Sequence, residues 1–251
     1  ADLEVQDLAL DGLRAAGLTR LVLDLADARI VRGVLAGLAE DGATLNAVVV
    51  ALAAKDNATL RRLSAGFPPE TRDALLALPG LYGDATVLVA ARQQLPPRPM
   101  ITAALDDLGR LAQHVARVHT DVQVGFDLAD MGGYAYYSGA RFAVYAPGSS
   151  DALLRGGRYD EVGAVFGRNR PAVGFSTDLK LLAAVAAPER RRTAICAPWS
   201  EDPALRQAVR RLREQGESVV CILPGHGHEG EEFDCDRELV AVDGQWVLRA
   251  L

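Results

Sequence analysis

Two segments of this sequence carry residue types and spacings suited to holding a small molecule. The first is Gly132-Gly133-Tyr134-Ala135-Tyr136-Tyr137-Ser138-Gly139, which leads into Arg141-Phe142-Ala143-Val144-Tyr145. The second is Gly156-Gly157-Arg158-Tyr159-Asp160, followed by Pro171-Ala172-Val173-Gly174-Phe175-Ser176 and a helix-like run. Paired glycines let a backbone approach a ligand closely. A tyrosine pair on a strand can turn one ring into a pocket, as an apolar wall with a hydroxyl handle. A strand glycine just before a helix makes room in a pocket floor. Turn glycines and core aromatics would look the same, so residue types alone leave both readings open.

Other chemistry is thinly represented. There is no P-loop, no GxSxG, no HExxH and no CxxC. His226-Gly227-His228-Glu229, with Glu231, Glu232, Asp234 and Cys235, has ligand types that suit zinc. No second cluster at a recognised spacing accompanies it, so it reads as a solvated glycine-rich loop. His114 and His119 are five residues apart, poorly placed to share a ligand on one helix face, and read as surface or edge residues. Cys196, Cys221 and Cys235 are an odd number, two of them in strand-like apolar runs. They read as reduced core cysteines of a cytoplasmic protein.

The elements that position these residues belong to a chain of 251 residues, 49% hydrophobic and 24% charged, enough for one large domain or two modest ones. The longest apolar stretch, Leu45 to Ala54, stops at Lys55, well short of the ~20 residues a bilayer needs. No signal peptide is visible at the N-terminus. A net charge of −6 argues against a protein that mainly grips nucleic acid. Apolar periodicity predicts helices over 2–16, 28–39, 44–54, 69–78 and 101–118, with a strand at 20–26; 85–95 reads as a helix, although Thr86-Val87-Leu88-Val89 would also suit a strand. Beyond Thr120 the texture is strand-like: 121–128, 134–145, a strand from 152 into Gly156-Gly157, and 172–176, then a helix over 178–186. This predicts an α+β domain with an antiparallel sheet closed by helices. Ala187-Pro188-Glu189-Arg190-Arg191-Arg192 marks a boundary, giving domains at 1–188 and 189–251. The second reads as a small α/β unit: a strand at 193–197, a helix capped by Ser200 and ended by Gly216, a parallel strand at 218–223, and a hairpin turning at Asp243-Gly244.

The tyrosine pair, then Gly-Gly-Arg-Tyr-Asp, then Pro-Ala-Val-Gly-Phe opening a helix resembles the back half of the histidyl-tRNA synthetase catalytic domain. That is the class II aminoacyl-tRNA synthetase fold. Three motifs in order make the resemblance specific; it covers about residues 1–187, with 1–118 matching loosely. It implies a histidine pocket lined by Tyr136, Tyr137, Gly156, Gly157 and Gly174, with Arg158, Tyr159, Asp160 and Phe175 as its structural frame. Gly156, Gly157 and Gly174 are expected to face one cleft, with the tyrosine pair central to the strands.

Two departures bear on activity. In the synthetases the tyrosine pair follows Arg-Gly-Leu-Asp; the matching residues here are Gly132, Gly133, Tyr134 and Ala135. The synthetase helix after Gly-Phe carries Glu-Arg, whose arginine grips ATP; here Lys180 and Leu181 stand in those places. A leucine cannot hold a phosphate. Losing one such contact typically costs ~3–4 kcal/mol of transition-state stabilisation. This pattern is similar to the regulatory-subunit family of ATP phosphoribosyltransferase, a catalytically silent paralogue of the synthetase. The resemblance implies a cytoplasmic protein of histidine biosynthesis with no catalytic residues, cofactor or metal of its own. Its implied partners are the short-form catalytic subunit and L-histidine, with self-association and with no nucleic acid or membrane. A diverged histidyl-tRNA synthetase-like ligase, or a scaffold that binds no amino acid, are the competing readings. Residues 189–251 carry 9 Arg against 12 Asp plus Glu, poor for an RNA-holding surface. The first two class II signatures are not in this sequence, so a fragment is expected.

Overall fold

The computed structural model describes residues 1–163, 167–168, 170–186, 193–225 and 233–251. The expected boundary at 187–192 and the whole of the His226–Glu232 loop lie outside them. The chain divides into two compact units, Ala1–Ala187 and Pro188–Leu251.

The first unit opens with α1 (Asp2–Ala15), β1 (Val22–Asp27), α2 (Ala28–Leu35), α3 (Gly42–Ala53), α4 (Asn57–Leu63) and α5 (Pro69–Ala77). Then follow β2 (Tyr82–Gly83), α6 (Thr86–Gln94), α7 (Pro99–Val118), β3 (Gln123–Asp127), β4 (Ala140–Tyr145), β5 (Leu154–Arg158), β6 (Val173–Thr177) and α8 (Leu179–Val185). Aspartates at 27, 41, 56 and 178 accept hydrogen bonds from the first-turn N–H groups of α2, α3, α4 and α8, which is why these helices begin where they do. The apolar stripe of α7 is buried from Ile101 to Val115; Val118 at its end is exposed. Expected helix 28–39 stops at Leu35, because Ala36 is extended and Gly37 takes φ +83°. The short α4 and β2 were not legible in the periodicity.

The sheet order is β2-β3-β1-β4-β5-β6. β1 runs parallel to β3 and antiparallel to β4, between them. The expectation that residues 121–186 form an antiparallel sheet by themselves is corrected: β1, from the helical part, lies between β3 and β4 and runs parallel to β3. Leu23 and Leu25 of β1, Phe142 and Val144 of β4, and Leu154 of β5 bury one face in the core that contains α1 and α7. The expected strand over 134–145 starts only at Ala140. Before it, Gly133 takes φ +71°, and its carbonyl accepts from the N–H groups of Tyr136 (2.8 Å) and Tyr137 (2.9 Å), making a turn. Tyr136 and Tyr137 sit in that turn and not on a strand.

In the second unit, β7 (Ala194–Pro198), α9 (Pro203–Glu214), β8 (Val219–Ile222), β9 (Cys235–Val242) and β10 (Gln245–Ala250) form, among the described residues, a sheet in the order β10-β9-β7-β8 with one helix. β7 is parallel to both β8 and β9. Asp243 (φ +50°) and Gly244 (φ +78°) make the hairpin turn between β9 and β10. The cap of α9 is Asp202, not Ser200. Its carboxylate accepts from the N–H groups of Ala204 and Leu205 and from Trp246 Nε1, while Ser200 Oγ accepts from Asp202 N. The three cysteines are free and half-buried. Among the described residues no cluster of three metal-type ligands occurs, and no helix is long and apolar enough to cross a membrane.

Candidate functional site

Side chains alternate across a strand. With Leu23 and Leu25 in the core, Asp24 must point to the opposite face of the sheet. The registers carry that face across the unit. Asp24 lies opposite Gly125 of β3 and Ala143 of β4, Ala143 opposite Arg155, and Arg155 opposite Ser176. Ala26 lies opposite Arg141, Arg141 opposite Gly157, and Gly157 opposite Gly174. Tyr82 lies opposite Asp127. One face is therefore apolar core and the other is charged.

Gly157 and Gly174 are on the charged face; Gly156 is not. A Cβ at Gly156 would meet Phe142 Cζ at 2.6 Å, Gly174 O at 2.6 Å and Phe175 Cβ at 2.7 Å. The expectation that all three glycines face one cleft is corrected, because adjacent residues of one strand face opposite ways. The room left by the other two is also filled. A Cβ at Gly174 would stand 2.7 Å from Tyr159 Oη, and one at Gly157 2.7 Å from Ala140 O. These glycines seat a tyrosine and a neighbouring strand.

The aromatic residues do come together. Tyr136 stacks on Tyr159 with centroids 5.0 Å apart, and Tyr137 meets Tyr136 edge-on at 5.2 Å. Tyr136 is 46% exposed, so this cluster has an open side. Burial raises the Tyr137 hydroxyl above its usual range, and the Arg155 charge opposes that. Arg158 and Asp160 hold the cluster in place. Arg158 Nε donates to Asp2 of α1 (3.1 Å) and its Nη1 to Asp160 (3.0 Å). Asp160 accepts from Ala172 N (2.9 Å), and Ser138 Oγ accepts from Asp160 N (2.9 Å). Phe175 lies beside Gly156, away from the charged face. Two cavities adjoin the aromatic turn. One of about 660 Å³ includes Arg32, Met131, Tyr134 and Ala135; one of about 600 Å³ includes Tyr159, Arg168 and Arg170.

The charged residues of this face carry no motif and were missed by motif reading. Their only sequence signal is alternation along strands not yet known to be neighbours. Arg141 is 6% exposed, ion-paired with Asp130 and hydrogen-bonded to Gly132 O. Burial, then the nearby Arg155, pulls its guanidinium down to about 10, which leaves it charged at neutral pH. Burial, then the Asp127 charge, raises the Asp24 carboxyl. Lys55 Nζ lies 2.8 Å from Asp127 and 4.3 Å from the Tyr82 ring centroid. Lys55 takes φ +50° just after α3, a left-handed conformation that favours glycine and costs a non-glycine residue ~1 kcal/mol or more.

Gly132 and Leu181 stand where the resemblance puts the two synthetase arginines. A Cβ at Gly132 would lie 3.2 Å from Arg141 Nη1 and 3.2 Å from Asp130 Oδ1, so an ion pair occupies that space. Leu181 packs against the core. What remains on the face is carboxylates, guanidinium groups and stacked phenol rings, an arrangement suited to a zwitterion with an aromatic side chain.

His114 and His119 have a different role from the one expected. Both rings share Asp7 of α1: His114 Nε2 lies 2.9 Å and His119 Nε2 2.8 Å from Asp7 Oδ1. Arg14 donates to His119 Nδ1, which assigns Nε2 as the protonated nitrogen that donates to Asp7. His119 is 3% exposed, so it needs these partners. Burial opposes ionisation of Asp7, but the two histidine hydrogen bonds outweigh it and lower its pKa. A carboxylate with a depressed pKa stabilises the fold above its unfolded pKa of ~3.9 and loses that contribution as pH falls. Asp7→Ala is expected to cost about 1–3 kcal/mol at pH 7. Its cost should shrink toward pH 3, as followed by urea unfolding.

A family model described as histidyl-tRNA synthetase matches residues 1–182, and one described as ATP phosphoribosyltransferase subunit HisZ C-terminal domain matches residues 192–249. The chain is 56% identical over 251 residues to an ATP phosphoribosyltransferase regulatory subunit from Acidovorax ebreus, covering 100% of this chain and 65% of that protein. The chain thus spans less than two thirds of that relative's length. Among solved structures it is similar to an ATP phosphoribosyltransferase regulatory subunit/histidyl-tRNA synthetase from Bacillus halodurans, with TM-score 0.75, 24% identity, and 88% of this chain and 58% of that chain covered. It is also similar to a chain of the ATP phosphoribosyl transferase (HisG:HisZ) complex from Thermotoga maritima, with TM-score 0.54, 15% identity, and 70% and 59% covered. These structural likenesses place the fold among the class II synthetases.

Proposed function

The chain belongs to the histidyl-tRNA synthetase family, in the branch that carries the C-terminal domain of ATP phosphoribosyltransferase regulatory subunits, and on that premise we propose that the intact protein is such a regulatory subunit, without catalysis of its own. One observation carries the reading: a synthetase-family fold has Gly132, with an ion pair filling its space, and core-packed Leu181, where the resemblance puts one arginine that serves amino-acid activation and one that grips ATP. Without those cations the negative charge of adenylation has no stabiliser. The retained aromatic cluster and charged face support binding of free L-histidine instead. Tyr136, Tyr137 and Tyr159 would hold the imidazole, and Asp24 with Asp127 would attract the ammonium group. The Thermotoga complex pairs HisG with HisZ; a short catalytic subunit of ATP phosphoribosyltransferase is the proposed partner here, in the cytoplasm, in histidine biosynthesis. Histidine regulates such a complex only through different affinities for its arrangements.

The test uses the intact protein. Calorimetry should detect L-histidine binding, and Tyr136→Ala should weaken it about 10- to 100-fold, the loss of roughly 1.4–2.8 kcal/mol. Addition of the protein should raise phosphoribosyl-ATP formation by the catalytic subunit. Histidine-dependent ATP–pyrophosphate exchange by the pure protein would overturn the reading.

A further inference from the structure

We infer that a groove in the C-terminal unit, between α9 and β8, docks an acidic, extended segment of a partner protein. The groove encloses about 500 Å³ and is walled by the carboxyl end of β7, one face of α9, and β8. Trp199 stands at the end of β7, 43% exposed. Its backbone N–H donates to Ile222 O at 2.9 Å, so the ring is carried on paired backbone and not on a loose loop. A large exposed aromatic on a rigid support marks an interaction site more than a solvated one.

Arg206, Arg210 and Arg213, at spacings of four and three, share one face of α9 and line the same groove. Arg206 donates to Ser200 O (3.4 Å) and Arg213 to Val219 O (2.8 Å). Arg210 has no hydrogen-bond or ion-pair partner among the described residues. None of the three pairs with a carboxylate among them, although Glu214 lies in the same wall. In a chain of net charge −6 this is a cationic strip set against the bulk charge.

The third wall, β8, decides the shape of the occupant. Among the described residues β8 is an outer strand of its sheet, paired with β7 on one side only. Such an edge accepts an added strand through backbone groups not already used; Arg213 occupies Val219 O, so the added strand would pair beyond it, along Cys221. An extended segment along β8 would place acidic side chains against Arg206 and Arg210 and an apolar one on Trp199. Tryptophan and arginine are the residue types that dominate interface energetics.

The experiment rests on the proposed function for its probe, the short catalytic subunit. Binding of the intact protein to that subunit is measured by calorimetry at low and high salt. Trp199→Ala should weaken it about 10- to 100-fold. Arg210→Glu, which alters an exposed residue and leaves the core intact, should weaken it about 10-fold at low salt and less at high salt. Arg211→Glu makes the same charge change on the same helix outside the groove and should change affinity less than about 2-fold. Equal loss in Arg210→Glu and Arg211→Glu, or a complex that survives both groove substitutions, overturns the inference and leaves the proposed function standing. No complex with the unsubstituted protein overturns the proposed function itself. Two further results also overturn the inference: loss of self-association by Arg210→Glu with partner affinity unchanged, or ATP quenching of Trp199 fluorescence that Arg210→Glu abolishes while partner affinity is unchanged.

Discussion

Arg141→Gln is expected to lower the unfolding free energy of the intact protein by about 3–5 kcal/mol. That is the usual cost of removing one partner of a buried ion pair. Arg141 joins Asp130 and the Gly132 carbonyl, holding the turn that precedes the tyrosine cluster to β4. Asp130 also accepts from Gly132 N at 2.9 Å, so its carboxylate and the turn are one unit. Glutamine reaches less far and carries no charge, which leaves Asp130 half-buried and unpaired. Arg141→Lys should recover only part of the loss, because a point charge cannot serve a carboxylate and a carbonyl with a planar fork. The measurement is the urea midpoint at constant slope. A loss under about 1 kcal/mol would mean that the pair is solvated and holds nothing.

Gly156→Ala should cost about 3 kcal/mol or more, at the upper end for overpacking. The new methyl would meet a backbone oxygen at 2.6 Å on one side and the Phe142 ring at 2.6 Å on another. Backbone cannot step aside as a long side chain can, and the Phe142 ring is buried. Gly12→Ala is the matched control. Gly12 lies inside α1 with no atom within 4 Å of an added Cβ, so alanine should stabilise by up to about 1 kcal/mol. Thermal unfolding of the two variants should move in opposite directions. A neutral Gly156→Ala would show that β5 and β6 separate at little cost.

Much of the molecule was legible in its sequence. The α7 stripe, the Asp243-Gly244 turn, the parallel β7–β8 pair and the three motifs all depend on residues close in the chain, where periodicity and turn chemistry act directly. The placement of Tyr136, Tyr137 and Tyr159 against one another was only half legible. The motifs named the rings, but the Gly133 turn that stacks them is a matter of backbone conformation. The charged face was not legible at all. Period-two alternation says that Asp24 opposes Leu23 and Leu25 on its own strand, yet nothing local says that β1 slips between β3 and β4, some hundred residues later. That pairing alone brings Asp24 beside Asp127 and Arg141. The same holds for Asp7, which finds His114 and His119 only once α1 lies on α7. Residue type and spacing determined which elements form and which family the chain resembles. Strand order and helix docking decided which charges meet, because those contacts close long loops and are selected by the burial of the whole core.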